Sequence, residues 1–198
     1  TVAVYDGTQI KGVWPGQKET IFGLAVDVGS TTLSAQLCNL KTGEVVATAG
    51  TMNPQIRFGE DLMSRVSYLM MNPDDMTDMT REVRTAINYL AAQTTNEVGS
   101  DPSNIVDVVL VGNPIMHHIL LGIDPTELGG APFALATDMA LNITAEELDL
   151  YFNPSATTYI LPCIAGHVGA DTAAVILAHN PLSTKEMTLI IDIGTNAE

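Results

Sequence analysis

Apolar and polar residues alternate between positions 22 and 50, and this pattern predicts three consecutive strands. They cover residues 22–28, 32–40 and 44–50, with Lys41–Gly43 as the second turn. An alternation with period two places every other side chain on the same face of a sheet. Because the connections are short, the strands are expected to form an antiparallel meander.

Helical spacing follows the strands. A first helix places one apolar residue per turn on one face: Phe58, Leu62, Val66 and Met70. Gly59–Asp61 lies in its amino-terminal turn, where negative charge is favourable, and Pro73 ends it. A second and clearer helix repeats the apolar spacing from Met76 to Thr94.

The continuous apolar run at 105–111 indicates a parallel strand that is covered on both faces. A helix is predicted at 115–121, with Pro114 at its first position and Gly122 beyond its end. Residues 122–157 are predicted to be an irregular insertion. Its one regular feature is a capping box at Thr144–Glu147, which marks the start of a helix.

The last part of the pattern predicts a fifth strand at 158–161, a helix of small residues at 170–178 and a strand at 188–192. Residues 1–21 contain one short strand candidate, Val2–Tyr5, and several turn residues. We therefore interpret 1–21 as a linker or the tail of a preceding domain.

Composition limits the kinds of partner. Eight basic and 23 acidic residues in 198 give a formal net charge of -15, which argues against nucleic acid and anionic membranes as partners. No apolar run has transmembrane length and no signal peptide opens the chain, so a cytoplasmic, soluble protein is expected. Cys38 and Cys163 lack metal-binding spacing and are predicted to be buried apolar residues.

One motif occurs twice. The first copy runs from Leu24 to Thr32, with Asp27 at the end of an apolar run and Gly29 two positions later. The second runs from Leu189 to Asn196, with Asp192 and Gly194 in the equivalent places. Two copies of an acid, a spacer, a glycine and a hydroxyl residue are far more specific than one.

This motif suits a phosphate chain with a divalent ion. Asp27 and Asp192, at strand ends, would orient Mg²⁺ through water, because that ion dehydrates reluctantly. Glycine allows backbone N–H groups to approach anionic oxygens, and hydroxyl or amide side chains add donors. The predicted phosphate-binding residues are therefore Gly29, Ser30, Thr31, Thr32, Gly194, Thr195 and Asn196. Because neither turn contains lysine, Arg57 or Arg65 is the candidate cationic contact.

A plain tight turn and a protease site are the two rivals of a phosphate site for this motif. A single copy is often only a tight turn in which Asp caps its own backbone. A two-lobed aspartic protease also has two distant acidic turns, but its spacers carry hydroxyls where this chain has Val28 and Ile193. A P-loop is excluded, since it requires a lysine and a following helix.

The order of elements resembles an RNase H-like half-domain from the superfamily of acetate and sugar kinases, heat-shock chaperone ATPases and actin. That resemblance implies an α/β fold with a mixed five-stranded sheet and flanking helices, over residues 22–186. Residues 187–198 would then begin the second half-domain with its first strand. In this comparison 27–32 match the first phosphate motif, 169–178 the first connecting helix and 192–196 the second phosphate motif.

Within that superfamily, five phrases together resemble the reductive activators of corrinoid proteins. They are Ala25–Thr32, Gly112–His118, Leu121–Pro125, Ala165–Thr172 and Ile191–Asn196. One departure is Ala197, where the family usually has a glycine. The family implies ATP and Mg²⁺ as cofactors, and a two-iron, two-sulfur cluster in a preceding domain that this chain does not contain.

The resemblance implies an enzyme that uses ATP to return an inactive cob(II)alamin protein to cob(I)alamin in a methyltransferase system. Its partner would be that corrinoid protein, contacted through 113–118 and 122–157, and a homodimer is left open. Asp27, Asp171 and Asp192 are the candidate catalytic residues. The roles of His117, His118 and His167 are not defined by the sequence; a metal shared by the first two is disfavoured, because adjacent helical residues point apart.

Three rival functions remain at this point. A sugar or acid kinase would use the same phosphate turns with Asp171 or Asp61 as its base. An activator of a radical or dehydratase enzyme would need cysteines donated to a shared cluster. A non-enzymatic scaffold related to actin or to the chaperones would need only the fold.

Overall fold

The computed structural model describes residues 1–183 and 185–191, and its centre is a mixed sheet of six strands. In chain order, β1 (Val2–Tyr5) and β2 (Gln9–Val13) form a separate hairpin. The large sheet contains β3 (Phe22–Val28), β4 (Thr32–Asn39), β5 (Val45–Met52), β6 (Ile105–Val111), β7 (Leu141–Thr144) and β8 (Thr157–Ile160). Its spatial order is β5-β4-β3-β6-β8-β7.

The sheet combines an antiparallel meander with two parallel neighbours. Strands β3, β4 and β5 pair antiparallel, whereas β6 pairs parallel with β3, and β8 pairs parallel with β6. This arrangement confirms the predicted fold class. Because β3 and β6 run in the same direction, the loops that follow Val28 and Val111 lie at the same edge of the sheet.

In the part of the chain that the structure describes, four α-helices accompany the sheet: α1 (Leu62–Met71), α2 (Met76–Glu97), α3 (Pro114–Leu121) and α4 (Ala170–His179). The first three pack on one face, where the main core contains Leu24, Val26, Leu33, Met79, Val83 and Leu110, each nearly inaccessible to solvent. Helix α4 lies against the other face of β3 and β6, beside the side chains of Ala25 and Val109.

Helix α1 begins four residues later than the first apolar position of its predicted pattern. The Asp61 carboxylate accepts a hydrogen bond from the Ser64 N–H at 2.7 Å, so Asp61 is the N-cap and not part of the helical turn. Phe58 precedes the helix, directly after a short 3₁₀ helix at Pro54–Arg57.

Two strands were not predicted. β2 converts the amino-terminal segment from a single strand into a hairpin, and β7 lies inside the segment expected to be wholly irregular. β7 pairs antiparallel with β8 and brings the large sheet from five strands to six. The capping box is present, with the Thr144 N–H donating to Glu147, but only a single 3₁₀ turn follows it.

The predicted strand at 188–192 is not formed by residues 188–191, which join neither edge of the described sheet. A strand requires a partner for its backbone hydrogen bonds, and these residues have none in the sheet. Asp192, Gly194, Thr195 and Asn196 lie outside the described residues. No helix in the described ranges is both long and apolar enough to cross a membrane.

Candidate functional site

The turn from Gly29 to Thr32 joins β3 to β4 and is too tight for a larger residue at its start. A Cβ atom at Gly29 would lie 2.4 Å from the carbonyl oxygen of Thr32. Real side chains never approach backbone oxygen this closely, so the turn requires glycine. Ser30 is buried inside the turn, and Thr32 is exposed at the start of β4.

The back of this turn is held by buried polar side chains. Asn53 donates from Nδ2 to the Gly29 carbonyl at 2.9 Å, and its backbone N–H donates to the Thr31 carbonyl at 2.8 Å. The guanidinium of Arg65 donates to the Ser30 carbonyl. All three consecutive carbonyls of the turn are therefore bound from the protein interior.

Arg65 is inaccessible to solvent, so the expectation that it contacts a phosphate directly is wrong. Its Nε donates to the Gly59 carbonyl at 3.1 Å and its Nη1 to Oε1 of Gln55 at 3.3 Å. Burial lowers the pKa of Arg65 to about 10, which still leaves it charged at neutral pH. Arg57 instead forms an exposed ion pair with Glu82 at 2.8 Å.

Asp27 projects from the other face of β3, near the end of that strand. It pairs in register with Ser34 on β4 and Val111 on β6. Its side chain lines an open groove of about 460 Å³, which continues past the small residues Ala174 and Ala178 of α4. An exposed carboxylate at this position is a suitable outer-sphere ligand for Mg²⁺.

Gly112 and Gly169 bring α4 against the ends of β3 and β6. A Cβ at Gly112 would lie 2.8 Å from the Val28 carbonyl oxygen, and one at Gly169 would lie 2.6 Å from Cα of Asn113. The N–H of Ala170 donates to the Gly112 carbonyl at 3.0 Å. The amino terminus of α4 therefore begins at the same sheet edge as the turn after β3.

Asp171 lies in the first turn of α4, at this edge. Its Oδ1 accepts a hydrogen bond from the Thr172 N–H at 2.8 Å. The structure thus brings Asp27, the Gly29–Thr32 turn and Asp171 to one edge of the sheet. Asp61, the alternative base, is occupied as the N-cap of α1 and does not line the groove.

Within the described ranges, no group of three or more His, Cys, Asp or Glu side chains is arranged to hold a metal ion. The groove therefore offers Asp27 as a single carboxylate to a hydrated ion. Asp192, the second proposed ligand, lies beyond the residues whose structure is described.

The structure buries residues 113–118, which argues against the predicted contact of this segment with the partner protein. Both His117 and His118 are buried, as is every other residue of α3 except Leu121. Helix α3 packs against α1 and α2, and Ala136 of the insertion donates a hydrogen bond to His118, so the mostly apolar sequence of α3 fits its place in the core. His167 is exposed and packs at a tilt against the Phe133 ring, with a centroid separation of 4.3 Å and an interplanar angle of 57°.

The two cysteines differ in environment. Cys163 is buried, as expected, and burial raises the pKa of its thiol to about 11. Cys38 lies on β4 and is only half-buried. A thiol whose pKa is raised by burial is a poor nucleophile, and Cys163 is therefore a packing residue.

The roles of Asn53 and Gln55 were missed from the sequence. Asn53 is the N-cap of the 3₁₀ helix that starts at Pro54, and its Oδ1 accepts the Gln55 N–H at 2.9 Å. An Asn immediately before Pro is a recognisable helix-start signal. Its contact with Gly29, 24 residues earlier in the chain, has no local signal.

The six-stranded mixed sheet and its helices define an actin-like ATPase-type α/β fold. The model of the family described as RACo middle region matches residues 22–182, and the chain belongs to that family. A solved structure described as a reductive activator for corrinoid, iron-sulfur protein matches with a TM-score of 0.90 and 35% identity. That match covers 99% of this chain and 32% of the solved one.

Two curated relatives have similar sequences. The corrinoid activation enzyme RamQ from Eubacterium limosum is 31% identical over 182 residues, covering 92% of this chain and 30% of the relative. The reductase of a Co(II) methylated amine-specific corrinoid protein from Methanosarcina barkeri is 23% identical, covering 90% of this chain and 33% of the relative. The chain thus spans about a third of the length of these relatives.

Proposed function

We propose that this chain forms part of the nucleotide-binding region of an ATP-dependent reductive activator of a corrinoid protein. Membership of the RACo middle region family and the names of the two relatives support the corrinoid part of this proposal. Because the chain spans about a third of those relatives, the reduction itself is a proposal for the complete protein.

The proposed reaction adds one electron to cob(II)alamin and yields cob(I)alamin. The electron would come from a two-iron, two-sulfur cluster in a preceding domain. ATP would supply the driving force by changing the conformation of the complex of activator and corrinoid protein. The residues of this chain would bind and orient the nucleotide, so their contribution is to positioning.

The observation that carries the nucleotide part is the convergence at one sheet edge. The Gly29–Thr32 turn, Gly112 and the start of α4 meet there, and the Asp27 carboxylate lies on the adjoining strand. In the proposed complex the turn backbone holds a phosphate, and Asp27 orients Mg²⁺ through water. Gly194, Thr195, Asn196 and Asp192 would contribute the facing half of the site.

A sugar or acid kinase is less well supported. Such an enzyme needs a base next to the phosphate turn, and Asp61 is committed to capping α1. Asp171 lies at the correct edge, but its Oδ1 accepts the Thr172 N–H. In the proposed activator Asp171 shapes the nucleotide side of the site and no proton transfer to a second substrate is needed.

The substitution Asp27→Asn tests this function in the intact protein. It keeps the shape of the side chain and removes the charge that orients the ion. We expect an unchanged melting temperature without nucleotide, because the residue lies outside the core, and loss of the stabilisation by magnesium-ATP. Thermal unfolding with and without magnesium-ATP measures both quantities.

Asp107→Asn is the matched control. Asp107 lies on the same face of the sheet, on β6, but four residues before Val111 and so about 13 Å from the candidate site along the strand. The control should retain the full shift with magnesium-ATP. An equal shift in the Asp27→Asn variant would reject the nucleotide site.

A further inference from the structure

The hydrogen bonds to three carbonyls fix the orientation of the peptide units in the turn. The Gly29, Ser30 and Thr31 carbonyls all accept hydrogen bonds from Asn53 or Arg65, which lie on the helix-covered side. In a trans peptide unit the N–H points opposite to the C=O. The N–H groups of Ser30, Thr31 and Thr32 therefore face away from these anchors.

Successive N–H groups directed to one side form a concave site for anions. In most turns this direction is a property of local dihedral angles. Here it is imposed from the interior by the side chains of Asn53 and Arg65 and by the backbone N–H of Asn53, which come from other parts of the chain. Asn53 follows β5, and Arg65 belongs to the first turn of α1.

Burying the charge of Arg65 costs free energy, which a purely structural role would not explain. Within the described residues, no carboxylate forms a salt bridge with its guanidinium, although the nearby Asp61 carboxylate favours its charge. Its hydrogen-bond partners are backbone carbonyl oxygens, Oε1 of Gln55 and Sδ of Met116. Burying a cation without a paired counter-charge is unfavourable. The positive charge of Arg65 lies directly behind the turn. An anion bound in front of the turn would interact favourably with this charge and offset the cost of burying it.

We propose that Arg65 and Asn53 are the positioning residues of the anion-binding turn, holding its peptide units so that their N–H groups face a phosphate. This inference rests on the proposed nucleotide function and adds to it two residues that do not touch the nucleotide. Arg65 contributes orientation through the Ser30 carbonyl and positive potential through its charge.

Arg65→Lys and Asn53→Ser in the intact protein test this role. Lysine keeps the charge but loses the fork of donors that links Ser30, Gly59 and Gln55. Serine retains an oxygen that can cap the Pro54 helix, yet it is too short to reach Gly29. The dissociation constant for magnesium-ATP is measured by titration calorimetry at a temperature well below unfolding of each variant.

We expect about tenfold weaker binding of magnesium-ATP by each variant, the loss typical of one hydrogen bond from a charged or buried donor. The matched control is Arg84→Lys. Arg84 also donates to a backbone carbonyl, that of Leu120 at 3.0 Å, but it lies on α2 beside the insertion. This control should lower the melting temperature and leave the dissociation constant within about twofold of the parent.

The outcomes are distinguishable. A parent protein that binds no magnesium-ATP would reject the nucleotide function itself. A parent that binds, together with folded Arg65→Lys or Asn53→Ser variants of unchanged affinity, would overturn the positioning role alone. If Arg65→Lys does not fold, the result for Asn53→Ser decides, because that change removes one anchor and retains the cation.

Discussion

At the scale of single residues, the adjacent histidines of α3 show how position alone separates two identical side chains. Nδ1 of His118 lies 2.8 Å from the Pro114 carbonyl, and its Nε2 accepts the Ala136 N–H at 3.0 Å. This pairing fixes a neutral ring with the proton on Nδ1. Within the described residues, neither nitrogen of His117 makes a well-formed hydrogen bond.

Burial lowers the pKa of His117 to about 4, the nearby His118 acts in the same direction, and the Leu161 backbone opposes the shift. The unfolded chain binds a proton near pH 6.5, whereas the folded protein stays neutral at this site. The contribution of His117 to folding stability is therefore fully present above pH 6.5 and is lost as the pH falls from 6.5 towards 4. The largest slope is about 1.4 kcal/mol per pH unit for one group.

We predict that His117→Leu reduces the pH dependence of the free energy of unfolding in this window. Urea unfolding from about pH 7.5 to about pH 5 measures it, and His118, whose pKa burial also lowers, contributes to the slope that remains. His179→Gln, at an exposed position of α4, is the control and should reproduce the parent's slope. Parallel curves for the parent and His117→Leu would contradict the prediction.

At the scale of elements, α4 depends on a close approach that only glycine permits. The backbone of Gly169 is extended, with φ -91° and ψ -172°, so alanine could adopt its conformation. The obstacle is space, since the nearest atoms to an added Cβ include the Gly112 carbonyl oxygen at 2.7 Å. Cα of Asn113 lies at 2.6 Å, and these two backbone atoms cannot rotate away; the third neighbour, Oδ1 of Asp171 at 2.5 Å, belongs to a side chain.

Gly169→Ala is therefore expected to destabilise the protein by about 1–3 kcal/mol, the usual range for overpacking. It should also weaken binding of magnesium-ATP, because α4 would move away from the sheet edge. Gly130→Ala is the control: its φ is -151° and no atom lies within 4 Å of an added Cβ. Urea unfolding of both variants checks the difference, and equal midpoints would show that α4 tolerates displacement.

The elements that the sequence predicted well carry strong local signals. Helix α3 begins at Pro114 and is ended by Gly122 with a left-handed φ of 76°, as its flanking residues indicated. β7 and β2 were missed because each has only four or five residues and owes its existence to a partner strand. The sequence of one strand alone does not determine which strand it pairs with.

The residues of the candidate site also divide into those with a local sequence signal and those without one. Asp27 and the Gly29–Thr32 turn were identified because the acid and glycine follow one strand directly. Asn53 and the position of Arg65 were not, because their contacts with that turn span 24 and 35 residues of sequence. A buried arginine on an amphipathic helix resembles any surface arginine until the fold is known.

At the scale of the whole molecule, the described residues leave the outer face of β3 open beside α4. Ala25 and Asp27 are exposed there, and Leu177 of α4 is 74% accessible. This chain matches about a third of each curated relative, so about two thirds of those proteins lie outside the matched region. In the proposed function, catalysis by positioning would require further parts of the complete protein to close on the nucleotide.

We therefore predict that the purified 198-residue chain does not hydrolyse ATP at a useful rate. Release of inorganic phosphate under saturating magnesium-ATP measures this activity, with the Asp27→Ala chain as the background control. Steady hydrolysis by the parent chain that Asp27→Ala abolishes would contradict the prediction and place a complete catalytic site within these residues.

The anchoring of the Gly29–Thr32 turn also matters to anyone who would transplant it. A graft of the strand and turn alone, from Leu24 to Thr32, would carry the glycine and the hydroxyls into a new scaffold but leave Asn53 and Arg65 behind. The smallest segment that would carry the turn together with Asn53 and Arg65 therefore runs from β3 to β5 and includes the first turn of α1. This segment is one continuous stretch of the chain, although the residues that hold the turn lie far from it in the sequence.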